Sequence, residues 1–159
     1  MGLCYTLNMN EFLTTILKII SRLETKPVVY GSFGVATYLN DFKEFEDIDI
    51  LVESEFINDK WPEFKKLFES SGFNLVDEKE HEFELDGKRV GFASKDILLR
   101  DNVINDYSEL IQYKDKEAFT LTPYSFLKAY KFSVKDGYRI KGRCKKDRDI
   151  IRKLESYIN

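Results

Sequence analysis

The chain has little of what cross-links, kinks or anchors a protein. Two cysteines, three prolines, one histidine and one tryptophan are spread over 159 residues. Cys4 and Cys144 lie far apart and have no metal-ligand spacing. Met1 to Met9 has neither the charged start nor the apolar core of a secretory signal, so both thiols are expected to be reduced in a cytoplasmic protein and carry no assigned role. No apolar run approaches a membrane span, and no repeat or low-complexity tract interrupts the sequence. The single histidine, His81, stands between Glu80 and Glu82 and reads as a surface residue rather than a catalytic base.

The charge balance is slightly acidic, net −3, which argues against a protein built mainly to coat nucleic acid; general DNA binding is not expected. The distribution is far less even than the sum. Asp41 to Asp86 holds sixteen Asp or Glu against five Lys, whereas Lys128 to Lys153 holds eleven Lys or Arg against three Asp. Such an arrangement is either a pair of solvated helix faces or an acidic, cation-binding front with a basic tail suited to a phosphorylated substrate.

The length allows one α+β domain over residues 1–159, with a core at about 10–120 and C-terminal helices at about 122–158. Apolar residues at helical spacing predict a first helix over 10–25, capped by Asn10 and closed by Pro27. Val28 to Tyr30 reads as a short buried strand, followed by a helix over 33–40. Asp47-Ile48-Asp49-Ile50 alternates as a strand with one apolar face. A helix over 59–71 carries Trp61, Phe64, Leu67 and Phe68, with Asn58 or Asp59 as its cap and Gly72 as its end. Phe73 to Val76 begins a third strand. Asp86-Gly87 then predicts a hairpin over 82–93 in which Leu85 faces Lys88, Glu84 faces Arg89, Phe83 faces Val90 and Glu82 faces Gly91. Residues 97–116 read as a loop with a helical turn at 107–111. Thr122-Pro123 opens a helix to about Lys135, Asp136-Gly137 breaks it, and a last helix runs from about Lys145 to Tyr157.

Two features carry chemistry. The Gly31-Ser32 corner opens a helix whose free N–H groups and partial positive charge suit a phosphate. The alternation of the next strand sends Asp47 and Asp49 to one face, roughly 6 to 7 Å apart along the strand. Adjacent carboxylates repel, so a cation between them is the better explanation of the pair.

Strand, Gly-Ser, short helix, then Asp-x-Asp on the next strand resembles the signature of the nucleotidyltransferase superfamily. That superfamily includes the DNA polymerase β type and the bacterial antibiotic and minimal nucleotidyltransferases. The run from Leu121 to Lys131, followed by Arg143-x-x-Lys146-Asp147-x-Asp149, is similar to the helical tail of certain bacterial members. The resemblance implies a mixed sheet flanked by helices and transfer of a nucleoside monophosphate from an NTP to an acceptor hydroxyl. Gly31 and Ser32 would hold the triphosphate, Asp47 and Asp49 would bind Mg²⁺ or Mn²⁺, and Lys131 or Arg143 would offset phosphate charge. The acceptor would be a small molecule, a protein side chain or an RNA end, and no membrane is involved.

The sequence departs from that pattern at one position. Active members usually carry a third carboxylate between two apolar residues on a neighbouring strand, and the matching stretch here is Val90-Gly91-Phe92. The residue before the Asp pair is Glu46, where small hydroxylated residues are commoner. The hairpin count offers Glu82, opposite Gly91, as a substitute acid, with Glu84 nearby; otherwise both are solvent-facing strand residues. A fold that keeps the nucleotide and has lost the chemistry is the alternative function.

Overall fold

The computed structural model describes residues 7–39, 45, 47–135 and 141–159, with the backbone alone at 141–144. The predicted break at Asp136-Gly137, Glu46, Cys4 and the side chains of Arg143 and Cys144 lie outside the described residues.

The architecture is α+β: a mixed seven-stranded sheet with helices on both faces. Chain order is α1 (Met9–Ile20), β1 (Val28–Tyr30), α2 (Gly31–Leu39), β2 (Asp47–Val52), α3 (Trp61–Ser70), β3 (Asn74–Asp77), β4 (Glu82–Leu85), β5 (Lys88–Ser94), α4 (Asp96–Arg100), β6 (Ile111–Gln112), β7 (Phe119–Thr120), α5 (Pro123–Lys135) and α6 (Lys141–Ile158). The strands lie in the order β3-β4-β5-β2-β1-β7-β6. Among the described residues no helix is long and apolar enough to cross a membrane.

β2 divides the interior by its alternation. Ile48, Ile50 and Val52 join Phe83, Val90 and Phe92 in a core beneath α1 and α3. Leu51 faces the opposite core with Val28, Val35, Phe126, Ala129 and Leu154, under α2, α5 and α6. Asp47 and Asp49 share the parity of Leu51, so they project from the face that carries α2, α5 and α6.

Several elements begin or end where local sequence did not indicate. α1 starts at Met9 because Asn8, not Asn10, accepts the Glu11 N–H at 2.8 Å. It stops at Ser21, whose hydroxyl donates to the Lys18 carbonyl at 2.6 Å, well before Pro27. α3 begins at Trp61 with no side-chain cap, since the Asn58 amide instead donates to the Ser54 carbonyl and closes a 3-10 turn over Ser54–Ile57. The stretch 97–116 contains α4, a 3-10 turn at Tyr107–Glu109 and β6. The hairpin has the register counted from its turn: Glu82↔Gly91, Phe83↔Val90, Glu84↔Arg89 and Leu85↔Lys88. Asp86 and Gly87 sit at φ 52 and 77, the two positive values a tight hairpin turn needs.

Candidate functional site

The site begins with β1 and β2, which run antiparallel with Tyr30 opposite Asp49. One residue past Tyr30 the chain turns into α2, so the helix start is delivered beside the Asp49 side chain. Gly31 takes φ +68, and a Cβ placed there would lie 2.4 Å from Asp49 Oδ2. Only a glycine meets both demands, a left-handed backbone and a carboxylate against it. Three residues on, a Cβ at Gly34 would lie 2.8 Å from the Phe126 ring, so α5 is pressed against α2 directly behind the corner. The Tyr38 hydroxyl donates to the Leu121 carbonyl at 2.7 Å and fixes the entry to α5. Burial, then the neighbouring Tyr157, pushes that Tyr38 hydroxyl above its usual range.

On the other side β2 pairs in parallel with β5, matching Asp47 with Arg89 and Asp49 with Gly91. Asp47 and Asp49 are both exposed. Gly91 leaves open space on the same face: a Cβ there would meet only Asp49 Oδ1, at 3.6 Å. The register therefore brings Gly31, Asp47, Asp49, Arg89 and Gly91 together.

Glu82 lies on this face, one strand further out, and its carboxylate accepts from Arg89 Nη1 at 3.1 Å. Glu84 Oε2 stands 3.6 Å from Arg89 Nε. Among the described residues no three carboxylate, histidine or cysteine side chains converge on one point. Ser32 is half-buried as the second residue of α2. Lys131 is exposed on α5, its Nζ 3.8 Å from Glu155 Oε1. Arg143 lies on α6 with its side chain outside the described residues.

Arg89 was not singled out from the sequence. The hairpin count placed it opposite Glu84, but only the non-local pairing of β2 with β5 sets it beside Asp47. His81 precedes β4, with φ 52 and its ring edge-on to Trp61 at 4.5 Å.

The donor set fits a small divalent cation. Mg²⁺ is ordinarily held by one or two protein carboxylates together with substrate phosphates, and here two exposed carboxylates share a strand face next to a helix start. The cradle at Gly31, where a methyl group would collide with Asp49, keeps that approach open.

No family model matches the chain. The uncharacterized protein YnaI of Bacillus subtilis (strain 168) is 34% identical over 152 residues, which cover 94% of this chain and 96% of the relative. The solution structure of the antibiotic-resistance factor ANT(2'')-Ia matches with a TM-score of 0.60 at 8% identity, over 92% of this chain and 82% of that one. At that identity the likeness shows the fold alone, and the fold is nucleotidyltransferase-like. The chain belongs to the family of the uncharacterized protein YnaI, on a nucleotidyltransferase-like fold.

Proposed function

We propose that the protein is a metal-dependent nucleotidyltransferase, with Asp47 and Asp49 as metal ligands and the Gly31-Ser32 corner as the triphosphate cradle. The observation that supports this reading is the closeness of Gly31 to Asp49: a Cβ at Gly31 would lie 2.4 Å from Asp49 Oδ2, and Tyr30 is the register partner of Asp49. A bound Mg²⁺ or Mn²⁺ would supply charge neutralisation for the phosphates and a Lewis acid beside the α-phosphorus. The N–H groups at the start of α2 orient the β and γ phosphates, and Lys131 or Arg143 offsets their charge. The acceptor hydroxyl oxygen forms a bond to the α-phosphorus while the bond to the bridging oxygen breaks. Pyrophosphate leaves with the electron pair, and the hydroxyl proton passes to Glu82. That role requires Glu82 to exchange its bond with Arg89 for one with the acceptor. Positioning and electrostatics supply most of the catalysis, so few residues suffice.

The test is calorimetry with NTP and Mg²⁺ on Asp47→Asn, Asp49→Asn. Metal-dependent affinity is expected to fall about 100-fold, because both charged ligands are lost together. Thermal stability should not fall, since both side chains are exposed and their loss of charge relieves repulsion. Equal nucleotide binding in variant and wild type would defeat the metal role.

A second reading rests on Gly91, which stands beside Asp49 where a third carboxylate would complete the metal site. Under it the site binds nucleotide and transfers nothing. Pyrophosphate release across a set of NTPs and acceptors separates the two readings.

A further inference from the structure

The charge asymmetry of the sequence becomes one surface in the fold. Every exposed residue of α5 is a lysine or an aromatic: Tyr124, Lys128, Lys131, Phe132 and Lys135. Tyr124 is 63% exposed and Phe132 38%. At 3.6 residues per turn the five occupy one side of the helix, opposite the buried Phe126, Ala129 and Tyr130. The helix carries no acidic residue, and its nearest described counter-charge is Glu155 at 3.8 Å from Lys131. α6 continues the surface. Lys145, Arg148 and Arg152 line a hollow of about 400 Å³ together with Ile151. All three cations are exposed, and Arg152 is bonded to Asp149.

This surface stands on the sheet face that carries the carboxylate pair. Phe126 of α5 stacks on Tyr30 at 6.2 Å, and Tyr30 is the register partner of Asp49. The buried side of α5 therefore packs toward the candidate site, and its exposed side faces solvent across the helix. Solvated lysines alone are an ordinary helix surface. Two exposed rings set among them are not, since rings interleaved with cations offer stacking faces and phosphate contacts together.

We propose that the exposed face of α5, continued by the cationic hollow of α6, binds single-stranded nucleic acid. Unpaired bases stack on Tyr124 and Phe132 while the backbone phosphates meet Lys128 and Lys135. A duplex keeps its bases stacked inside and cannot use the rings. The sixteen acids of Asp41 to Asp86 repel phosphates elsewhere and confine the strand to the helix pair, so the acidic overall balance does not oppose binding here.

The experiment measures fluorescence anisotropy of a labelled single-stranded RNA of roughly 12 nucleotides, within the usual range of single-strand site sizes, without NTP or metal. Binding should weaken steeply with salt. Lys128→Glu, Lys135→Glu should weaken it at least tenfold and reduce the slope of log affinity against log salt by about 0.7 per lost phosphate contact. Tyr124→Ala should weaken it roughly tenfold with the salt slope unchanged, the mark of a lost stacking contact. Circular dichroism checks that these exposed substitutions keep the helix. Absence of binding at low salt overturns the proposal, as does binding equal to wild type in the double-lysine variant. Competition by polyglutamate as strong as by RNA, with Tyr124→Ala without effect, also overturns it and assigns the face to an acidic protein. The Asp47→Asn, Asp49→Asn variant should hold the RNA as wild type does. Absence of RNA binding in wild type that still binds NTP with metal therefore overturns this inference alone. The converse overturns the metal site and leaves the docking surface standing.

Discussion

The two ends of β2 treat charge in opposite ways. At its start, Asp47 and Asp49 project side by side from an exposed face, beside a glycine that makes room for one of them. Just past its end, Glu53 and Lys95 follow β2 and β5 out of the register pair Val52↔Ser94 and close on each other. Lys95 Nζ donates to Glu53 Oε1 at 2.7 Å with only 11% of its side chain exposed. The Thr25 hydroxyl donates to the other carboxylate oxygen, and the Lys26 N–H adds a bond at 3.5 Å. Like charges gathered on a surface cost stability and make sense with a ligand between them. Opposite charges buried with matched donors tie elements together. The hollow of about 530 Å³ beside Glu53 and Lys95 is lined also by Asp96 and Tyr107, and within it Lys95 is bonded to Glu53 and the Tyr107 hydroxyl to Asp96.

If that contrast is right, substitutions at the two ends should separate stability from function. The largest stability effect is expected for Lys95→Met, which keeps the buried stem and removes the charge. Breaking a fully buried pair costs about 3 to 5 kcal/mol; Glu53 keeps Thr25 and partial water contact, so about 2 kcal/mol is expected. That corresponds to a fall in Tm of roughly 4 to 8 °C, while metal-dependent NTP affinity should not move. A change in NTP affinity without a change in Tm would break the contrast.

Gly31→Ala crosses it, because Gly31 is a backbone requirement inside the functional end. The left-handed conformation alone costs an alanine about 1 kcal/mol, and the collision with Asp49 adds to this. Gly72→Ala is the control, since Gly72 has φ +97 with no atom within 4 Å of its would-be Cβ. The excess loss of Gly31→Ala over Gly72→Ala in urea unfolding reads the contact with Asp49. Equal losses would mean that the carboxylate moves aside at no cost.

How much of this was legible in the sequence follows from the range of each interaction. Alternation placed Asp47 and Asp49 on one face, and Asp86-Gly87 set the hairpin register, because both depend on neighbours within a few residues. The parallel pairing of β2 with β5 joins residues about 40 positions apart and has no local signature, so Arg89 beside Asp47 and Lys95 beside Glu53 were invisible. β6 and β7 are two residues each, too short for any period to show. Their pairing follows from docking: the Thr120 hydroxyl donates to the Val29 carbonyl at 2.8 Å, and Phe119 N–H to the Pro27 carbonyl at 2.9 Å.

A smaller effect tests the structural end by pH. Burial pushes the Glu53 carboxyl up, but the hydrogen bonds from Lys95 and Thr25 and the charge of Lys95 outweigh it and hold it below the ordinary value of 4.5. A depressed folded value means the unfolded chain takes up the proton first. The contribution is therefore present above 4.5 and lost as pH falls through the folded value. Glu78 and Asp106, lowered by hydrogen bonds from Trp61 and Ser108 respectively, titrate in the same acidic window. The comparison with Lys95→Met isolates Glu53: urea unfolding from about pH 6 to about pH 3 should show a steeper loss in wild type than in the variant. Parallel curves would mean that Lys95 does not set the Glu53 titration.

The smallest stability change and the most telling functional one belong to Gly91→Asp. The position has ordinary backbone, and its would-be Cβ meets only Asp49 Oδ1 at 3.6 Å, so a side chain enters open space on the site face. A third carboxylate beside Asp47 and Asp49 adds repulsion that Arg89, the register partner of Asp47, partly offsets. Without metal the variant should lose less than about 1 kcal/mol, as exposed like charges do in water. With Mg²⁺ the sign should reverse, because a bound cation turns three repelling charges into three ligands and stabilises the fold by mass action. The measurement is Tm against Mg²⁺ concentration, with pyrophosphate release followed in parallel. Glu82→Gln supplies the opposing arm: if Glu82 is the working base, its loss should abolish release, and Gly91→Asp should restore it in the double variant. Activity in wild type that survives Glu82→Gln would place the reaction on Asp47 and Asp49 alone. A Tm of Gly91→Asp that does not respond to Mg²⁺ would show that Asp47 and Asp49 hold no metal beside Gly91, and the contrast between the two ends of β2 would lose its functional half.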